Sequence, residues 1–251
     1  MSYEFLSLQG ATHLARNIDG QAKILRELGN QTQLKLSIES EKMEKYETKT
    51  GKRQKVFEMT KTRGVNLEMV LDEQKREDIA LAFQAQMNTT QAESVADAAI
   101  GDALAVGDVV KLDGFNLTDI VITDSTSSPV TADEGTHYEV NEQYGTVKIL
   151  SLDGLTQPLK ASYMTGETET TVLFTLPDDA EYYMLFEGIN STNDKRLALE
   201  LWRFKPEVQG EMDFINEETG EISINGSALA DPQKNNDPKL GGFGRIVYLD
   251  K

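Results

Sequence analysis

The sequence predicts a mainly β fold: two packed antiparallel sheets with one flanking α-helix, a long β-hairpin arm and a small β insertion. Three observations carry this. Apolar and polar residues alternate with period two through most of the chain, turn-forming residues punctuate those runs, and only one stretch has helical spacing.

Two short strands are expected first, over roughly 4–16 and 22–28, with Asp19-Gly20 as a hairpin turn because both central positions favour positive φ. The chain then turns at Gly29-Asn30. In "QLKLSIESEKMEKYE", Leu34, Leu36 and Ile38 share one face, and Lys35, Ser37 and Glu39 the other. In "RGVNLEMVLDE", Val65, Leu67, Met69 and Leu71 alternate with Asn66, Glu68 and Val70. These runs flank "EKYETKTGKRQKVFE", so residues 33–71 read as one long hairpin with an amphipathic base and an outer half polar on both faces. Such an arm cannot bury itself in its own core, and a lone two-stranded ribbon is marginal in water. It is either disordered or received by another chain.

"DEQKREDIALAFQAQ" is the one clear helix, with Asp72 as the expected N-cap and Ile79, Ala80 and Phe83 as a short apolar stripe. Residues 86–103 are small and polar and read as a loop. Short strands with regular turns follow over 105–165, an antiparallel meander in which Tyr138/Val140 and Val147/Ile149 flank a turn at Gln143-Tyr144-Gly145. Strand character resumes at "TTVLFTLP" and "YYMLFEGIN". In "KRLALELWRFKP", Leu197, Leu199 and Leu201 oppose Ala198, Glu200 and Trp202. A Gly cluster, "GGFGR", shapes a turn before a closing strand at 245–249. The chain thus divides into a main β domain, 1–104 with 166–251, and an inserted subdomain, 105–165.

Charge is distributed unevenly. Residues 1–64 hold 12 Lys and Arg against 8 Asp and Glu, and the rest hold 13 against 34, giving +4 and −21. An acidic body lacks the basic groups that neutralise phosphates, which argues against ordinary nucleic-acid binding. With no Cys there is no disulfide or thiolate chemistry. No run approaches the ~18 apolar residues that span a membrane, and the first thirty residues lack a signal-peptide pattern. His13 and His137 are far apart, without other ligand types at metal spacing. No phosphate loop, GxSxG or HExxH is present. Acid pairs such as Asp178-Asp179 and Glu217-Glu218 read as solvated surface charge, and Trp202 as a packing residue. Neither an enzyme nor a cofactor is expected.

Structural or binding work remains. The opening "FLSLQGATHLARNIDGQAKILRELGNQTQLKLSIESEKMEKYETKTGKR" resembles that of the major tail tube proteins of long-tailed, non-contractile bacteriophages. The similarity lies in Gly10 in the first strand, Gly20 and Gly29-Asn30 at turns, an acidic strand, and the tip Thr50-Gly51-Lys52-Arg53. "LDEQKREDIALAF" is similar to the family's strand-to-helix segment, "THYEVNEQYGTVKIL" to a hairpin of many phage tail proteins, and "LFEGINSTNDKRLALELWRFKPEV" to the penultimate strands. The match is weakest over 100–168.

The resemblance implies a tail-tube β-sandwich whose copies close into hexameric rings, the inner sheets joining into one barrel and the rings stacking into a tube that conducts DNA to the host. Its partners would be further copies of itself and the tape measure, tail terminator and distal tail proteins, with duplex DNA passing unbound and no membrane involved. It would be made and assembled in the host cytoplasm and reside in the virion. On this reading Leu34, Leu36, Ile38, Val65, Leu67 and Met69 are core. Lys35, Ser37, Glu39, Asn66, Glu68 and Glu200 face an electronegative lumen, and Lys45, Lys49, Gly51, Lys52, Arg53 and Lys55 form an inter-subunit arm. Two alternatives are a β-sandwich decoration or adhesion module of a virion, and an inner-tube subunit of a contractile tail or type VI secretion system.

Overall fold

A computed structural model describes residues 5–18, 21–22, 24–175, 180–207, 211–217 and 219–249. In chain order the elements are β1 (Leu8–Ile18), β2 (Gln21–Ala22), β3 (Arg26–Glu27), β4 (Gln31–Tyr46), β5 (Lys55–Leu71), α1 (Arg76–Ala82), β6 (Gln86–Thr90), β7 (Ser94–Gly101), β8 (Val109–Lys111) and β9 (Thr118–Thr123). They continue with β10 (Tyr138–Asn141), β11 (Thr146–Ile149), β12 (Leu159–Met164), β13 (Thr168–Val172), β14 (Tyr182–Asn190), β15 (Arg196–Pro206), β16 (Ile222–Ala228) and β17 (Gly244–Tyr248). Among the described residues strands hold 52 % and helix 3 %, so the fold is mainly β with antiparallel sheets and a single helix.

Two compact units divide the chain: residues 1–86 with 171–251, and residues 87–170. In the first, β1, β14 and β15 pair in antiparallel order, with β17 beside the first half of β15 and β16 beside its last residues. The ladder then passes from β16 to β5 and β4. β15 is therefore where the chain crosses from one layer to the other. Between Tyr182 and Met184 the register shifts, and β15 carries one extra residue. That bulge bends the strand and lets Leu201 and Phe204 both reach the core while Trp202 buries on the opposite side.

The core between the layers gathers Leu14, Met184, Phe186, Leu197, Leu199, Leu201 and Phe204 from one and Val65, Leu67, Met69, Leu71, Ile222 and Ile224 from the other. Met69, Leu71, Met184, Phe204 and Ile222 are wholly buried; each such side chain contributes roughly 1.5–3 kcal/mol. Leu34 and Leu36 pack partly against this core as their alternation predicts. Ile38 does not: it is 77 % exposed, although its cross-strand partner Val65 is buried.

The helix starts later than its sequence pattern suggests. Its N-cap is Lys75, which offers no capping side chain. Asp72 instead accepts from the Asn30 amide at 2.7 Å, and Glu73 from the Asn30 backbone N–H at 3.0 Å, so both acids serve the preceding turn. Leu81 and Ala82 close one end of the core. The Asp19-Gly20 turn lies outside the described residues, and the second expected strand resolves into the short pieces β2 and β3.

The second unit starts earlier than the 105–165 marked by sequence pattern. Residues 86–103 are not a loop: they hold β6 and β7, strands that their small polar composition conceals and that pairing with β13 and β12 imposes. Nor is the unit a simple meander. Sheets ordered β10-β11-β8 and β7-β12-β9 enclose a core of their own, including Leu117, Ile122, Val147, Ile149, Leu159 and Ala161. The hairpin at Gln143-Tyr144-Gly145 forms with Tyr138 opposite Ile149 and Val140 opposite Val147. This unit carries 14 Asp and Glu against 3 Lys and Arg, a net of −11, and the rest of the chain carries 28 against 22, a net of −6.

Candidate functional site: hairpin arm, polar sheet face and open seam

The β4–β5 ladder runs from Gln31–Leu71 to Tyr46–Lys55, with register shifts between Gln31 and Gln33 at its base and, in the arm, at Glu41/Lys42 and Lys45/Tyr46. Only its base belongs to the sandwich. From Ser40 to Arg63 the side chains are exposed, with Met43 and Glu47 half-buried. The ribbon holds itself by charge. Lys42 pairs Glu58 at 2.6 Å, Lys55 pairs Glu44 at 3.0 Å and Glu58 at 2.5 Å, and Lys61 pairs Glu41 at 3.1 Å. Bonds from Lys42 and Lys55 hold the Glu58 carboxyl down at about 2, and those to Glu58 and Glu44 raise the Lys55 ammonium. The Tyr46 hydroxyl, donating at 2.6 Å, and Lys55 lower Glu44.

At the tip, Glu47 accepts from the Thr50 backbone N–H and hydroxyl, both at 2.5 Å, which lowers its carboxyl. Gly51 takes a left-handed φ of 73° with open space around it. Among the expected arm residues, Lys55 is thus an internal brace. Lys45, Lys49, Lys52 and Arg53 form no ion pair among the described residues and present their charge outward. The outer half is not polar on both faces either. Met43 lies opposite Met59 and Lys45 opposite Phe57, and antiparallel partners share a face. Val56 is 64 % exposed, Phe57 43 % and Met59 45 %.

The face of β4, β5 and β16 turned away from the core is a polar grid. Lys35, Glu68 and Asn225 form one row, and Ser37, Asn66, Ser227 and Lys205 the next. Lys35 Nζ bonds Glu68 Oε2 at 3.1 Å. Glu39 lies beyond them opposite Gly64. The sequence-based set Lys35, Ser37, Glu39, Asn66 and Glu68 is therefore brought together. With Lys35 and Lys205 against Glu39 and Glu68, however, the face is charge-balanced rather than acidic.

Glu200 lies elsewhere, on β15 opposite Arg245 of β17. Its carboxylate accepts from the Tyr183 hydroxyl at 2.6 Å and from Arg245 Nε at 2.5 Å. Burial would raise this carboxyl, but those two bonds outweigh it and leave it below the usual range. Burial and the Glu200 bond raise the Tyr183 hydroxyl. Trp202 stacks on Tyr183 with centroids 6.3 Å apart, carries Lys234 Nζ at 3.9 Å over its ring, and donates from Nε1 to the Gly241 carbonyl at 3.0 Å. The Gly cluster thus shapes the loop that covers this tryptophan.

A third feature escaped the sequence reading. Among the described residues β4 pairs only with β5 and β17 only with β15, so each leaves one strand edge free. Leu8, Leu34, Leu36, Phe186, Ile246 and Tyr248 line an open seam between the layers there. Ile246 and Tyr248 are 53 % and 72 % exposed. Periodicity marks both faces of a strand but not which edge lacks a neighbour, so no sequence signal gave this seam away.

These features define a class: a two-layer antiparallel β protein bearing a charged hairpin arm, open strand edges and an inserted β unit. The model of the family described as "Protein of unknown function UCP028589" matches residues 5–247, and the chain belongs to that family. None of the curated proteins matches it.

Proposed function

We propose that this chain is a structural virion protein, a subunit that closes with its copies into hexameric rings stacked as the tail tube of a long-tailed phage. The observation that carries the proposal is the β4–β5 arm, a paired ribbon whose outer half, among the described residues, makes its ion pairs only within itself and displays unpaired cations with exposed Phe57 and Met59. A ribbon of this kind in isolation is marginal, and docking on another copy stabilises it. The free edges of β4 and β17 support the same reading, because closing a barrel across subunits removes edges that otherwise invite aggregation.

The mechanism is passive. Duplex DNA would pass over the polar grid, where Lys35 is held by Glu68 and serine and asparagine fill the rows between. Such a face offers phosphates few unmatched cations and so little counterion release, and the genome slides. Adhesion is avoided by charge matching more than by bulk repulsion, since most of the net negative charge belongs to residues 87–170. A second reading, a virion decoration or adhesion module, draws on that unit's own core and strong acidity.

Sedimentation velocity over a wide concentration range tests the proposal. A tube subunit gives a discrete ring species and then large stacks. A decoration module remains a monomer throughout.

A further inference from the structure

We infer that the acidic loop ahead of β16, through Phe214 and Ile215, is the seat on which the basic arm tip of a second copy docks. The inference rests on reading the chain as a self-assembling tube subunit, and it names the surface that receives the arm.

Position is the first argument. β5 runs from Lys55 at the tip to Leu71, and Leu71 pairs with Ile222, the first residue of β16. A Cβ on Gly220 would meet Asn216 and Gln74, so the loop lies against the segment that leaves β5 at its far end. The strand has 17 residues, and at the rise of an extended chain its ends are about 55 Å apart. The arm therefore cannot reach its own loop. A donor at one end and an acceptor at the other is what a head-to-tail contact needs, and such contacts propagate from copy to copy.

Charge is the second. Lys45, Lys49, Lys52 and Arg53 at the tip form no ion pair among the described residues, whereas Glu211, Asp213 and Glu217 lie in a stretch of sequence, 207–221, without a single Lys or Arg. Lys75, close along the chain at that end, turns its ammonium onto the Leu28 carbonyl at 3.3 Å. Apolar surface is the third. Phe214 is 86 % and Ile215 95 % exposed between those carboxylates, and Val56 and Phe57 are exposed beside the tip cations. Aromatic and aliphatic contact supplies the affinity of such a joint, and the surrounding charges set its register.

The chain has no Cys, so introduced thiols report without background. Full-length Phe57→Cys and Ile215→Cys proteins, mixed under mild oxidation at an assembling concentration, should form a disulfide-linked heterodimer. In parallel, Lys49→Glu with Lys52→Glu and Arg53→Glu should raise the concentration needed for assembly about tenfold or more, the scale of lost steering and register. Glu211→Lys with Asp213→Lys and Glu217→Lys should do the same, and all six changes in one chain should restore assembly, with circular dichroism confirming folded monomers. If the native protein assembles but the thiols do not join, the seat is wrong and the tube reading stands. Six combined changes that fail to restore assembly also overturn the charge-matched joint. If the native protein never assembles, both readings fall.

Discussion

Asp78, wholly buried in α1, accepts the Gly29 backbone N–H at 2.8 Å and Arg26 Nη1 at 2.5 Å. A helix carboxylate thus fixes the turn that launches β4 and with it the direction of the arm. Asp78→Ala would leave a buried N–H unsatisfied and a guanidinium without its partner, at a cost of about 2–4 kcal/mol. Urea denaturation followed by tryptophan fluorescence measures this, and a loss under half a kcal/mol would be inconsistent with the role given to Asp78.

The same turn limits Gly29. A Cβ there would lie 2.0 Å from the Glu73 carbonyl oxygen and 3.2 Å from Asp78 Oδ2. Because the nearest atom is backbone, nothing can move cheaply aside. Gly29→Ala should therefore cost more than about 2 kcal/mol, whereas Gly51→Ala, at the open arm tip, should cost only about 1 kcal/mol through its positive φ alone. Paired thermal melts of the two variants test the contrast.

The arm's ion pairs should respond to acid in a defined window. Glu58 is held at about 2, below its ordinary 4.5. A depressed folded pKa adds order that is complete above the ordinary value and lost as pH falls toward the folded one. The Phe57 and Met59 resonances of the monomer should thus stay constant from pH 7 to about pH 5 and shift as pH drops toward 2. Glu58→Gln should show the acid-form pattern already at neutral pH.

Charge matching on the grid makes a further prediction. Glu39→Lys with Glu68→Lys replaces both carboxylates on the face that carries Lys35 and Lys205 and leaves only cations among these four positions. Assembled variant should retain duplex DNA at low salt and release it steeply as salt rises. The native assembly should retain little at any salt. Equal retention by both would disprove the face assignment.

How much of this was legible in the sequence follows from which forces act locally. Leu67, Met69 and Leu71 were readable because burial on one face writes a period of two. Ile38 continued that pattern yet is exposed, since alternation marks a face but not what covers it. Asp72 looked like a helix cap, but the competing bond to Asn30 is tertiary. β7 was invisible because its pairing with β12 creates a strand from small polar residues. Within the candidate site, Lys35 and Glu68 were correctly placed on one face. Glu200 was assigned with them because it alternates equally well, though it belongs to Tyr183 and Arg245. The arm was visible as a charged hairpin, but its internal ion pairs depend on a register shifted by two bulges.

Electron microscopy of the purified protein, negatively stained at high concentration, tests the central claim most directly. Hollow rings and stacked tubes, with a lumen wide enough for duplex DNA, are the predicted result. Isolated particles of monomer size at every concentration and salt, with no rise in scattered light, would contradict it.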